Sequence, residues 1–154
     1  MRTNVHSSLK QAVPEPAKLN PLLVFSPDPD VARSLTMLLE DHYVVESETD
    51  LTKLEDHANR LNPPILLADL HPFPPEILKT VEVLRRRKGN YPVIIFHVFR
   101  NTRPEIEQAI RTVSDIVLYK PINTDLLVEL ISVLMAVHDT RSWSTAQQED
   151  HKRA

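Results

Sequence analysis

Residues 65–70 read ILLADL, an unbroken apolar run that ends on Asp69. A short run with no alternating polar position is the pattern of a strand buried on both faces, the kind found inside a parallel sheet. Working outward, the flanking segments alternate in period. Upstream, Leu51, Leu54, Ala58 and Leu61 fall at helical spacing, and Tyr43–Glu46 reads as a strand. Before these, Val31, Leu35, Leu38 and Leu39 form a helix face, and Leu22–Phe25 is another short apolar run. Downstream, Ile77, Leu78, Val81 and Leu84 mark a helix, Pro92–Phe96 a strand, and Ile106, Ala109, Ile110 and Val113 a helix. Ile116–Tyr119 is a fifth strand, and Leu126, Leu127, Leu130, Ile131, Leu134 and Met135 mark a fifth helix.

Five strands alternating with five helices call for an α/β fold, a five-stranded parallel sheet with helices on both faces. At this length the expected strand order is 2-1-3-4-5. The sequence divides into a polar, proline-containing arm over 1–20, expected to be flexible, an α/β domain over 21–138, and a polar tail over 139–154 that holds the only Trp, Trp143. The 154 residues suit one domain with tails.

Composition excludes several functions. There is no Cys, hence no disulfide and no thiolate metal site, and the seven His show no metal-ligand spacing. A single Gly among 154 residues cannot build a Gly-rich phosphate loop. In particular, Ser26-Pro27-Asp28-Pro29 after the first strand offers two prolines without N–H donors and an acid that repels phosphate, against a flavin or nucleotide site. The net charge of -3 argues against nucleic acid as the main partner. No apolar run reaches the ~20 residues of a membrane helix, and the first twenty residues lack a signal peptide's apolar stretch, so a cytoplasmic location is expected.

Open α/β sheets place their sites outside the carboxyl ends of the strands. The strand assignment sends Asp28, Asp69, His97 and Lys120 to that one edge, although they are distant in sequence. Asp28-Pro29-Asp30 also fits a helix N-cap, proline at the first helical position and an acid in the first turn. Asp69 and Lys120 also fit a structural ion pair, and His97 a plain hydrogen-bonded strand-end histidine. The run Arg85-Arg86-Arg87-Lys88 suits nucleic acid or an acidic partner, or simply the last turn of a helix with Gly89 just beyond it. Thr102 and Glu105 have capping-box spacing.

From about Leu22 to Val137 the chain resembles the receiver domain of two-component response regulators, a flavodoxin-like fold. LLADL puts Asp69 at the family's phospho-acceptor position, IVLYKPINTDLLVELI resembles its Lys-Pro motif and last helix with Lys120 as the phosphate-binding lysine, and SPDPDVARSLTMLLE resembles its first helix. The resemblance implies a cis Lys120–Pro121 bond, a histidine kinase as partner, and Mg²⁺ held beside Asp69. It also implies dimerisation or partner contact through the fourth helix, fifth strand and fifth helix.

The departures concern that chemistry. Where the family carries two adjacent acids, this chain has Ser26 and Pro27, with Asp28 next. His97 replaces the Thr or Ser at the end of strand 4, and Val117 the switch aromatic. The small-residue pair before strand 5 is Val113 and Ser114, and the loop LHPFPPE lacks the family's Met-Pro spacing. Mg²⁺ takes oxygen ligands in near-octahedral array, usually with one or two carboxylates; only Asp69 and Asp28 are candidates. The expectation is a non-enzymatic pseudo-receiver, without cofactor and without efficient Mg²⁺-dependent phosphorylation, acting through a protein partner. The alternative is a working receiver phosphorylated on Asp69.

Overall fold

The computed structural model describes residues 21–71, 73–87, 91–100 and 103–152, with side chains as far as Asp139. Ten elements alternate: β1 (Leu22–Phe25), α1 (Pro29–Leu39), β2 (Val45–Glu48), α2 (Leu51–Leu61), β3 (Ile65–Asp69), α3 (Glu76–Arg85), β4 (Val93–Val98), α4 (Pro104–Val113), β5 (Ile116–Tyr119) and α5 (Thr124–Lys152). The strands form one all-parallel sheet in the order β2-β1-β3-β4-β5, as expected.

The period of two along each strand divides the core between the faces. Leu23, Phe25, Leu66, Ala68, Ile94 and Phe96 meet Leu54 and Ala58 of α2, Ile77, Val81 and Leu84 of α3, and Ile110 and Val113 of α4. On the other face Leu22, Val24, Ile65, Leu67 and Ile95 meet Leu35 and Leu39 of α1, and Leu127, Ile131 and Met135 of α5. Central strands buried on both faces need apolar side chains at both parities, which is why β1, β3 and β4 read as continuous runs.

Three elements differ in their bounds from the sequence reading. β2 starts at Val45 and not Tyr43, because His42 and Tyr43 donate back to the Leu39 carbonyl and prolong the turn that ends α1. β4 runs on to Val98, since pairing continues through Asp69↔His97 to Val98↔Tyr119; His97 thus lies inside the strand. The polar residues from Asp139 on continue α5 to Lys152. The arm over 1–20, Gly89 and Thr102 lie outside the described residues; the N-cap of α4 is Arg103, without a side-chain cap bond. With glycine so scarce, Asn62 takes the left-handed conformation (φ 48°) that ends α2.

Candidate functional site

Asp69 ends β3 at the carboxyl edge of the sheet and is 1% exposed. Parallel pairing sets His97 beside it and Leu66–Ala68 against β1, which brings Ser26 alongside. Ser26 Oγ donates to Asp69 Oδ2 at 3.1 Å. Lys120 Nζ lies 2.6 Å from Oδ1 and makes an ion pair, its side chain 12% exposed. His97 Nδ1 lies 3.3 Å from the same oxygen, outside hydrogen-bond geometry, and the buried Nε2 meets no hydrogen-bond partner among the described residues. Burial alone would raise the pKa of Asp69; His97, Lys120 and Ser26 outweigh it and hold the carboxyl below its ordinary value. Oδ2 is thus held by a hydrogen bond and Oδ1 by the Lys120 ion pair, without a hydrogen bond of its own among the described residues.

The rim of the site is aromatic and basic. The Lys120 ammonium lies 4.8 Å from the Phe99 ring centroid, and His71 meets Phe99 edge-on at 5.0 Å. The Lys120–Pro121 bond is cis.

The Asp28 side chain does not join this cluster. Its Oδ1 accepts from Asp30 N at 2.9 Å and caps α1, with Pro29 at the first helical position. Its own N–H donates to Ser26 Oγ at 3.1 Å, so Ser26 ties the helix cap to Asp69. Pro27 is exposed and has no side-chain donor or acceptor. Among the described residues no group of three His, Asp or Glu side chains is placed to hold a metal ion.

Val117 is half-buried on the α4 side of β5. With Arg111, Ser114, Asp115 and Tyr119 it lines an open cavity of about 290 Å³. Two residues on, Tyr119 projects to the same side. Its hydroxyl donates to Glu107 Oε2 at 2.8 Å and accepts from Arg111 at 2.9 Å, while the Arg100 guanidinium lies 4.1 Å from its ring centroid. Sequence reading missed this network; the usable signal was Tyr119 at the same parity as Val117, facing Glu107 and Arg111 at helical spacing.

It also missed a cluster on the edge strand. His57 of α2 is buried and lies 3.1 Å from Glu48 through Nδ1 and 3.1 Å from Glu46 through Nε2. Of the basic run, Arg85 is structural: it donates to the Val113 carbonyl and to Asp115, which in turn accepts from Ile94 N.

No protein-family model matches the chain, and no curated protein matches it. Solved structures do. A signal receiver domain from Bermanella marisrubri is 25% identical, with a TM-score of 0.64, and the match covers 75% of this chain and 97% of that one. The chemotaxis protein CheY4 of Vibrio cholerae is 20% identical, TM-score 0.63, over 75% of this chain and 98% of that one. A response regulator receiver modulated diguanylate cyclase from Pelobacter carbinolicus is 18% identical, TM-score 0.65, over 80% and 98%.

The fold is that of a response-regulator receiver domain.

Asp69 and Lys120, which the resemblance implies as acceptor and lysine, stand together at the carboxyl edge of the sheet. No helix among the described residues is long and apolar enough to cross a membrane.

Proposed function

We propose that this chain is a non-enzymatic receiver-like module of two-component signalling, one that acts by binding a protein partner and not by Mg²⁺-dependent phosphorylation of Asp69. The observation that carries the reading is the occupation of both Asp69 oxygens, Oδ2 by Ser26 and Oδ1 by Lys120 with His97 beside it. Phosphoryl transfer to a carboxylate brings one anion to another, and catalysis rests on cations that neutralise the pair. The residues present do not fit Mg²⁺. Ser26 supplies a neutral oxygen already donating to Asp69, Pro27 supplies none, and the Asp28 carboxylate is used in capping α1. One carboxylate with both oxygens engaged is a poor ligand set for an ion that seeks octahedral oxygen coordination.

Output is assigned to the face of α4, β5 and α5. Without a ring at Val117 there is nothing to swing inward, and the Glu107–Tyr119–Arg111 bonds, with Arg100 on the ring, hold α4 to β5 in one arrangement. The partner is then selected by this fixed surface, and a second copy or a histidine kinase is a candidate for it. A magnesium titration followed by amide-resolved NMR tests the metal half of the reading. Amides of 26–28 and 69–71 are expected to show no saturable shift up to millimolar Mg²⁺. A Ser26→Asp/Pro27→Asp variant is expected to gain one. Saturation in the unaltered protein would restore the working receiver, phosphorylated on Asp69 by a histidine kinase.

A further inference from the structure

The basic run at the end of α3 is only partly used by the fold. In a parallel sheet each helix runs back against the strands. The last turns of α2, α3 and α4 therefore end at the amino edge, just before Ile65, Val93 and Ile116 open β3, β4 and β5. The three helices cover one core on one face of the sheet. Across their ends, residues 58–62, 84–87 and 110–114, the Lys, Arg, Asp and Glu residues are Arg60, Arg85, Arg86, Arg87 and Arg111, all basic. Asp115, next along, is already taken: its carboxylate accepts from Arg85 Nη1 and from Ile94 N. The helix dipoles favour cations at these ends but leave their charge in place.

Arg60, Arg86 and Arg87 are exposed, and among the described residues their side chains make no hydrogen bond or ion pair. Arg85 ties the row together. Its Nη1 also donates to the Val113 carbonyl at the end of α4, and its guanidinium lies 5.2 Å from the ring centroid of Tyr91, which is 46% exposed. Arg111 and Asp115 line the open cavity beside β5, so that recess continues the row. At the same edge on the opposite face, α1 ends in Glu40 and Asp41. The positive surface is thus one-sided, on a chain whose net charge is -3.

Neighbouring helices pack about 10 Å apart. Three helix ends then span about 20 Å, the reach of about six extended residues. That length suits an extended polyanion better than a small anion. Guanidinium groups pair with carboxylates as planar forks. A nucleic-acid duplex, with one charge about every 1.7 Å, would also press on Glu40 and Asp41 behind the row. A short acidic segment places its charge on the row alone.

We propose that the ends of α2, α3 and α4 form a docking surface for an extended acidic segment of a partner protein. Its carboxylates pair with Arg60, Arg86, Arg87 and Arg111, and the Tyr91 ring is its apolar contact. This surface makes no use of Asp69, so its failure would leave the reading of that site untouched.

The test is a titration of the full-length protein with a short polyglutamate peptide, followed by amide-resolved NMR. Saturable shifts are expected in 59–62, 84–87 and 110–115, and affinity should fall as salt rises. Arg86→Glu/Arg87→Glu is expected to bind at least about tenfold more weakly. Arg33→Glu/Lys53→Glu changes the net charge equally at exposed positions away from the row, and is expected to stay within about twofold. Equal losses in the two variants would overturn the proposal, as would shifts absent or confined to 1–20 or 140–154. Tighter binding of an oligothymidylate at the same amides would overturn it too, since the row would then be a nucleic-acid surface.

Discussion

Asp69 holds a negative charge where water scarcely reaches, and the groups around it decide what that charge can do. Lys120 at 2.6 Å is its counterion, Ser26 its hydrogen-bond donor, and His97 fills the remaining side. Removing one partner of a buried pair leaves an uncompensated charge, at a cost of about 3–5 kcal/mol. The two partners are not equivalent. Lys120 can turn its ammonium toward solvent along a flexible stem, whereas Asp69 cannot leave the strand end. Lys120→Met is therefore expected to lose about 3–5 kcal/mol in urea unfolding, and Asp69→Asn no more than about 2 kcal/mol. The reverse order would contradict the pairing. The pH dependence has a definite sign. The folded carboxyl of Asp69 lies below its ordinary value, near 3.9 in an unfolded chain. The stability it contributes is present in full above that unfolded value and is lost as pH falls through the lower folded one. The gap between the unaltered protein and Asp69→Asn should thus hold from neutrality to about pH 5 and narrow below about pH 4. The meeting of Asp69, His97 and Lys120 was legible in the sequence, because strand ends fix positions along a sheet edge. The Ser26 hydroxyl bond was not, since it depends on a rotamer.

At the scale of elements, Asp28 shows how one residue serves both a helix and the site. Its side chain caps α1, and its N–H meets Ser26 Oγ, which reaches Asp69. Asp28→Ala is expected to cost about 1 kcal/mol, while Asp28→Asn, a cap of equal quality, stays close to the unaltered protein. Thermal or urea unfolding of the two variants checks this; an equal loss in both would assign Asp28 a role that needs its charge. The sequence located every element because apolar spacing reports period directly. It placed β2 two residues early and stopped β4 two residues short. Tyr43 is apolar but belongs to the turn after α1, held by hydrogen bonds to the Leu39 carbonyl, and His97 is polar but paired in the ladder. The clamp of His57 on Glu46 and Glu48 was invisible for another reason: it joins an edge strand to a helix through side chains that each look like ordinary surface polarity.

For the molecule as a whole, the strand order 2-1-3-4-5 puts β3, with Asp69, at the centre and β5, with Tyr119, at one edge. In a receiver fold, a signal written at the centre is read at that edge. Here the centre is closed by its own ion pair, and the edge is tied by Glu107, Arg111 and Arg100 to one position of Tyr119. These two features together support the proposed reading, a fixed surface selected by a partner. The sequence carried Ser26, Pro27, His97 and Val117; the network of Glu107, Arg111 and Arg100 around Tyr119 emerged only with side chains in place. The most direct test of the central claim is intact mass after incubation with acetyl phosphate and Mg²⁺. The account predicts an unchanged mass for the unaltered protein. Stoichiometric gain of one phosphoryl group, absent in Asp69→Asn, would contradict it.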